Sequence, residues 1–81
     1  MKNKDFQIVY KKGKSYANKY LIMYVLANDT EENRLGISVS KKVGNSVVRH
    51  RITRLIRESY RLQESNFQNG YDIVVRKTRR K

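Results

Sequence analysis

Apolar positions recur along this chain with two different periods. Phe6, Val9 and Tyr10 fall at i, i+3 and i+4, which predicts a short helix to about Lys12, capped by Asn3 or Asp5. Gly13 is placed for its C-terminal stop. Tyr20 to Leu26 (YLIMYVL) is aromatic and aliphatic throughout and reads as a strand. Asn28 to Asn33 (NDTEEN) is a polar turn. Arg34 to Ser40 (RLGISVS) alternates, with Leu35, Ile37 and Val39 facing one way and Ser38 and Ser40 the other. These two strands are expected to form an antiparallel hairpin. Asn45 or Ser46 then caps a second helix that should run to Leu62 or Gln63. Asn69-Gly70 marks a turn, and Tyr71 to Arg76 (YDIVVR) a last strand. The order is α-β-β-α-β, an α+β chain with its last strand expected in the same sheet. With 81 residues and no linker, one domain over 1–81 is expected.

On a helical wheel, Val48, Ile52, Leu55, Ile56, Tyr60 and Leu62 gather on one side of the second helix. Arg49, His50, Thr53, Arg54, Arg57, Glu58 and Arg61 take the other. The apolar half is expected on the sheet and the cationic half outside. Glu58 is placed to relieve only Arg54 and Arg61. Like charges at this spacing oppose helix formation, and a merely solvated face would mix Glu with Lys.

Charge turns this pattern toward a partner. Nineteen Lys and Arg against seven Asp and Glu give a net +12. Self-repulsion at this size costs stability unless a polyanion neutralises it. Arginine forks bind phosphate bidentately and stack on bases, so the outer face reads as a phosphate-tracking surface. An anionic membrane would want Trp, Phe or Leu opposite lysine, and there is no Trp. Nucleic acid is therefore expected and a membrane is not. Lys41, Lys42 and Gly44 precede the helix N-terminus, whose free N–H groups suit an anion. Spacing alone leaves this equally open to a plain strand-to-helix turn. The closing RKTRRK adds five basic residues in six.

Six tyrosines and two phenylalanines complete the picture. Aromatics beside cations hold single-stranded nucleic acid by base stacking, although spacing alone favours core roles for Phe6, Tyr10, Tyr20 and Tyr24. Catalytic chemistry is thin: one His, no Cys and no close carboxylate cluster. His50 lacks an obvious second titrating group, and no catalytic or metal-ligating residue is expected. The longest largely apolar stretch, Tyr20 to Ala27, falls far short of the ~20 residues that span a bilayer. No secretory signal is visible at MKNKDF. A soluble cytoplasmic protein is the expectation.

The stretch RLGISVSKKVGNSVVRHRITRLIRESYR resembles the signature of the bacterial ribonuclease P protein subunit, in which an Arg-Asn-Arg motif sits in a context like SVSKKxGNAVxRNRxKRLIRE. Upstream, DFQIVYKKGKSYANKY is similar to that family's DFQxVFKxGxSxANR segment. The resemblance implies a small α/β sandwich, a ribosomal-protein-like RNA-binding fold with a left-handed β-α-β crossover. It implies a non-catalytic subunit of an endoribonuclease: a large RNA, using magnesium, removes the 5′ leader of precursor tRNA, and the protein binds both that RNA and the leader. Matched positions imply RNA binding by Lys41, Lys42, Gly44, Asn45, Arg49, Arg51, Arg54 and Arg57, and His50 and Arg61 on the same helix are expected to join them. Phe6, Tyr10, Asn18, Lys19 and Tyr24 match the leader-binding cleft. His50 departs from the family Asn and is bulkier, and Thr53 stands where Lys is usual. The family also continues into a C-terminal helix that covers one side of the sheet. Without it, exposed apolar sheet would favour self-association. The alternative function is a small ribosomal or general RNA-binding protein with no part in cleavage.

Overall fold

The computed structural model describes residues 2–66 and 68–78. The basic residues Arg79, Arg80 and Lys81 of the closing run lie outside them. Helix α1 (Asn3–Lys12) is followed by strands β1 (Lys14–Ala17), β2 (Ile22–Ala27) and β3 (Arg34–Val39). Helix α2 (Ser46–Gln63) and strand β4 (Tyr71–Lys77) complete the chain, with single 3-10 turns at Lys41–Val43 and Glu64–Asn66. No described helix is long and apolar enough to cross a membrane.

The sheet order is β1-β2-β4-β3. This corrects the expected hairpin. β4 lies between β2 and β3, antiparallel to the first and parallel to the second. The physical reason is burial. Asp72, Ile73 and Val74 are consecutive buried residues, and only a central strand covered on both faces accommodates such a run. The polar loop after β2 therefore crosses the start of β4 instead of turning back. Asn28 N–H donates to the Gly70 carbonyl at 2.9 Å, and Asn33 Oδ1 accepts from Tyr71 N–H at 2.9 Å. Strand β1 was not anticipated. KSYA is exposed at all four positions and shows no alternation, as an edge strand can afford.

Register divides the sheet faces. Tyr24 opposes Val74, and α1 packs on this side, with its Tyr10 ring 4.9 Å from Tyr24 and Val9 fully buried. Met23 opposes Val75 on the other side, where α2 lies. The two helices sandwich the sheet. The cap of α1 is Lys2, not Asn3 or Asp5. Asp5 instead reaches back from the first turn to accept the Lys2 N–H at 3.2 Å. Gly13 ends the helix by close approach, with extended backbone: a Cβ there would stand 2.6 Å from the Val9 carbonyl oxygen and 3.0 Å from that of Val25.

Gly70 has φ +93°, and a Cβ would meet the Thr30 carbonyl oxygen at 2.6 Å. Gly70→Ala therefore combines a left-handed backbone with a backbone clash, and should cost about 1–3 kcal/mol. Urea unfolding monitored by circular dichroism measures this. An unchanged midpoint would mean the loop rearranges freely.

One polar network is internal. Arg34 Nε donates to Asp72 Oδ1 at 2.8 Å and Nη2 to Oδ2 at 2.6 Å, while Asn28 Nδ2 donates to Oδ1 at 2.9 Å. Asp5 approaches the same guanidinium at 3.7 Å. The Asp72 carboxyl is held below the usual carboxylate range, chiefly by the Arg34 hydrogen bond. The network ties α1, β3, β4 and the crossing loop together at one end of the sheet.

Candidate nucleic-acid interface

Helix α2 begins where the sequence reading placed it. Asn45 Oδ1 accepts from the Val48 N–H at 3.0 Å, satisfying one of the free donors of the first turn. Before it, Ser40 Oγ accepts from the Lys42 N–H at 3.2 Å and shapes the turn that presents Lys41 and Lys42 to solvent. Gly44 is extended, at φ 166°, and its importance is proximity: a Cβ would lie 2.9 Å from Val48 Cγ1.

The helix is rotated from the expected face. Its half-buried positions are Arg49, Ile52, Thr53, Ile56 and Tyr60, whereas Val48, Leu55 and Leu62 are exposed. Arg49 and Thr53 were expected outside. The Thr53 hydroxyl donates to the Arg49 carbonyl at 2.9 Å, and the Arg49 Nε is buried without a hydrogen-bond partner. The cause is position. α2 rests chiefly over the edge strand β3, so its Leu55 flank overhangs the sheet instead of pressing on it. An open groove of about 600 Å³ results, lined by Leu21, Met23, Leu55, Tyr60, Ile73 and Val75.

The rest of the outer face stands as predicted, with Arg51 exposed beside it. His50, Arg51, Arg54, Arg57 and Arg61 are all exposed. Among the described residues the ion pairs within 4 Å both use Arg34, so Glu58 neutralises neither Arg54 nor Arg61. This face carries a row of guanidinium groups with no acid among the described residues within 4 Å of them.

On the opposite side of the sheet, Phe6, Tyr10 and Tyr24 form one aromatic cluster. Phe6 and Tyr10 lie 6.3 Å apart, and Tyr10 meets Tyr24 edge-on at 4.9 Å. Arg76, which the sequence reading placed in the last strand but not among the site residues, lies over the Tyr10 ring at 5.5 Å from its centroid. Only the β2–β4 register, which pairs Arg76 with Ile22, brings it there. Asn18 and Lys19 are exposed in the turn between β1 and β2. The Asn18 side-chain oxygen is already committed, accepting from the N–H groups of Tyr20 at 2.7 Å and Leu21 at 2.8 Å. The structure thus gathers Phe6, Tyr10 and Tyr24 in one place and uses Asn18 to build the β1–β2 turn.

The family model described as Ribonuclease P matches residues 1–80. The chain belongs to the ribonuclease P protein family. The ribonuclease P protein component of Lachnoclostridium phytofermentans is 68% identical over 73 residues, spanning 90% of this chain and 63% of that relative. That of Alkaliphilus metalliredigens is 59% identical, over 90% of this chain and 66% of the relative. The chain therefore spans about two thirds of the length of these curated relatives. Its fold matches the RNase P protein of Staphylococcus aureus with a TM-score of 0.89 at 46% identity, covering 95% of this chain and 71% of that one. The Thermotoga maritima RNase P protein matches with a TM-score of 0.85 at 36% identity, covering 90% and 66%. Within this ribonuclease P family member, the α+β sandwich expected from the resemblance is present, with one edge strand more than the sequence pattern disclosed.

Proposed function

We propose that this chain acts as the protein subunit of ribonuclease P, binding the catalytic RNA and the 5′ leader of precursor tRNA without itself cutting. The observation that carries this is the exposed guanidinium row of α2, which no acid among the described residues approaches within 4 Å. A duplex or folded RNA backbone along His50, Arg54, Arg57 and Arg61 would supply the missing counter-charge. Lys41, Lys42 and Asn45 extend that surface around the helix start, where the dipole favours phosphate. The unpaired leader would lie on the other side of the sheet, where Phe6, Tyr10 and Tyr24 offer rings beside Arg76. The protein's contribution is then affinity and placement: a leader held at a fixed position raises the fraction of substrate correctly seated on the RNA.

The cleavage chemistry belongs to the RNA in this reading, with magnesium supplied there. Among the described residues no three His, Cys, Asp or Glu side chains converge to hold a metal. Asp5 and Asp72 both face Arg34, which fits them poorly to cation binding by the protein alone. No step of the reaction is assigned to them.

Reconstitution tests the proposal. The chain is combined with a bacterial ribonuclease P RNA at limiting magnesium, and precursor-tRNA cleavage is followed. An increased rate over RNA alone, growing with leader length, is expected. No gain at any magnesium concentration would refute the subunit role. A gain in RNA affinity that ignores the leader would instead favour a general RNA-binding protein.

A further inference from the structure

Strand β4 ends in two cations, Arg76 and Lys77. Consecutive strand residues leave opposite faces of a sheet, and each of these meets a tyrosine. Arg76 lies over Tyr10, within the aromatic cluster, and Lys77 Nζ lies over the Tyr20 ring, 5.5 Å from its centroid. The second pair belongs to a separate place, the turn between β1 and β2.

Three features distinguish Tyr20 from a packing residue. It is 64% exposed, whereas Tyr10 and Tyr24 are half-buried, so its ring keeps open surface beside the ammonium. Its backbone is held. The Asn18 oxygen accepts from the N–H groups of Tyr20 and Leu21, so the ring projects from a fixed turn and little order remains to be imposed on binding. Its surroundings are cationic. Lys19 precedes it in the same exposed turn, and the Lys77 carbonyl accepts from Ser40 N–H at 2.9 Å, which joins this corner to the Lys41–Lys42 turn. An aromatic face flanked by ammonium groups suits a base with its neighbouring phosphates. The same surface has no acid among its named members to attract a basic peptide.

We propose that Tyr20 and Lys77 form a further nucleotide subsite for unpaired RNA. A base stacks on the Tyr20 ring, and Lys77 and Lys19 neutralise the adjoining phosphates. The inference rests on the leader-binding reading above and extends it. The single strand leaves the Phe6–Tyr10–Tyr24 cluster past Arg76, crosses the end of β4, and places one more base on Tyr20. The end of the sheet then serves as a bridge between the aromatic face and the basic turn before α2.

The test uses holoenzyme assembled from the chain and a bacterial ribonuclease P RNA. Precursor tRNAs with leaders of increasing length are titrated, and 2-aminopurine is placed at successive leader positions. Tyr20→Ala should weaken binding of long-leader precursors by about fivefold or more, as expected for one lost base stack. It should leave the shortest leader unaffected. One 2-aminopurine position should lose its quenching in Tyr20→Ala and retain it in Tyr20→Phe. Tyr20→Leu, which keeps apolar bulk without a π-face, should behave as Tyr20→Ala and guards against a folding defect. Lys77→Gln should lower the salt slope by about 0.7. Tyr20 variants equal to wild type at every leader length, with Tyr10→Ala still defective, would overturn the subsite and leave the function intact. An equal loss at all lengths would also overturn it. If wild-type protein adds no affinity for any precursor, the functional reading falls, and the subsite with it.

Discussion

Arg34→Met should destabilise the domain more than Asp72→Asn, although Arg34 is the more exposed partner. The side chain of Arg34 is 49% exposed and that of Asp72 7%. Removing the carboxylate charge leaves a guanidinium that can turn to water. Removing the guanidinium leaves a buried carboxylate with, among the described residues, only the Asn28 amide donating to it, and an uncompensated buried charge is the worse outcome. Asp72→Asn should cost about 1.5–3 kcal/mol, the usual scale for hydrogen bonds to a charged group. For a domain of this size that is a fall in Tm on the order of 10 °C. Arg34→Met should fall further.

The pH dependence of the two forms should have opposite sign. In the wild type the native Asp72 carboxyl titrates below its unfolded value, so its stabilisation is fully present above the ordinary carboxylate range. It is lost as pH falls through the lowered native value. In Arg34→Met the carboxyl is buried without its cation, and its native value should rise above the unfolded one. The variant should therefore gain stability relative to wild type as pH falls from neutrality. Thermal unfolding of both proteins between pH 4 and pH 7, in roughly one-unit steps, measures the difference. A constant gap between them across that range would show that Asp72 does not depend on Arg34 for its charge.

Joint replacement of Arg54 and Arg57 by Ala should weaken RNA binding strongly while leaving the fold nearly unchanged. Both side chains are exposed and neither has an acidic partner within the described residues. Alanine is the best helix former, so the change in stability should stay within about 0.5 kcal/mol. If each arginine neutralises one phosphate, the slope of log K against log salt should fall by about 1.4–1.8 for the pair, or ~0.7–0.9 each. Arg49→Ala should differ in kind. Arg49 is half-buried with its Nε shielded from solvent, so stability should change along with binding. Filter binding to ribonuclease P RNA over a salt series, alongside thermal unfolding, separates these outcomes. Unfolding of the Arg54, Arg57 double variant without any change in salt slope would mean that the helix faces are assigned wrongly.

Much of the local structure was legible from the chain. The bounds of α2 followed from a long amphipathic period and an Asn cap, and the structure starts that helix at Ser46 and ends it at Gln63. The last strand was marked by Asn69-Gly70 and a run of β-branched residues. Strand β1 was invisible because KSYA has neither burial nor alternation to betray it. The wheel of α2 sorted apolar from cationic residues correctly for Ile52, Ile56, Tyr60 and the outer arginines. It misplaced Arg49 and Thr53, and it expected Val48, Leu55 and Leu62 to be covered. A wheel records which residues differ in polarity, and it carries no information about which strand lies beneath the helix.

What the sequence by itself determined was therefore local and chemical: the helices, the three stronger strands, the excess of positive charge, and the arginine row on one side of α2. These depend on near neighbours along the chain, through hydrogen bonding, capping and periodicity. Only the tertiary structure decided that β4 enters between β2 and β3, that Arg34 grips Asp72, and that Arg76 and Lys77 meet Tyr10 and Tyr20 on opposite faces. Those contacts join residues far apart in the chain. They are chosen by which strand must be buried on both sides, a competition among all the strands that no single segment records.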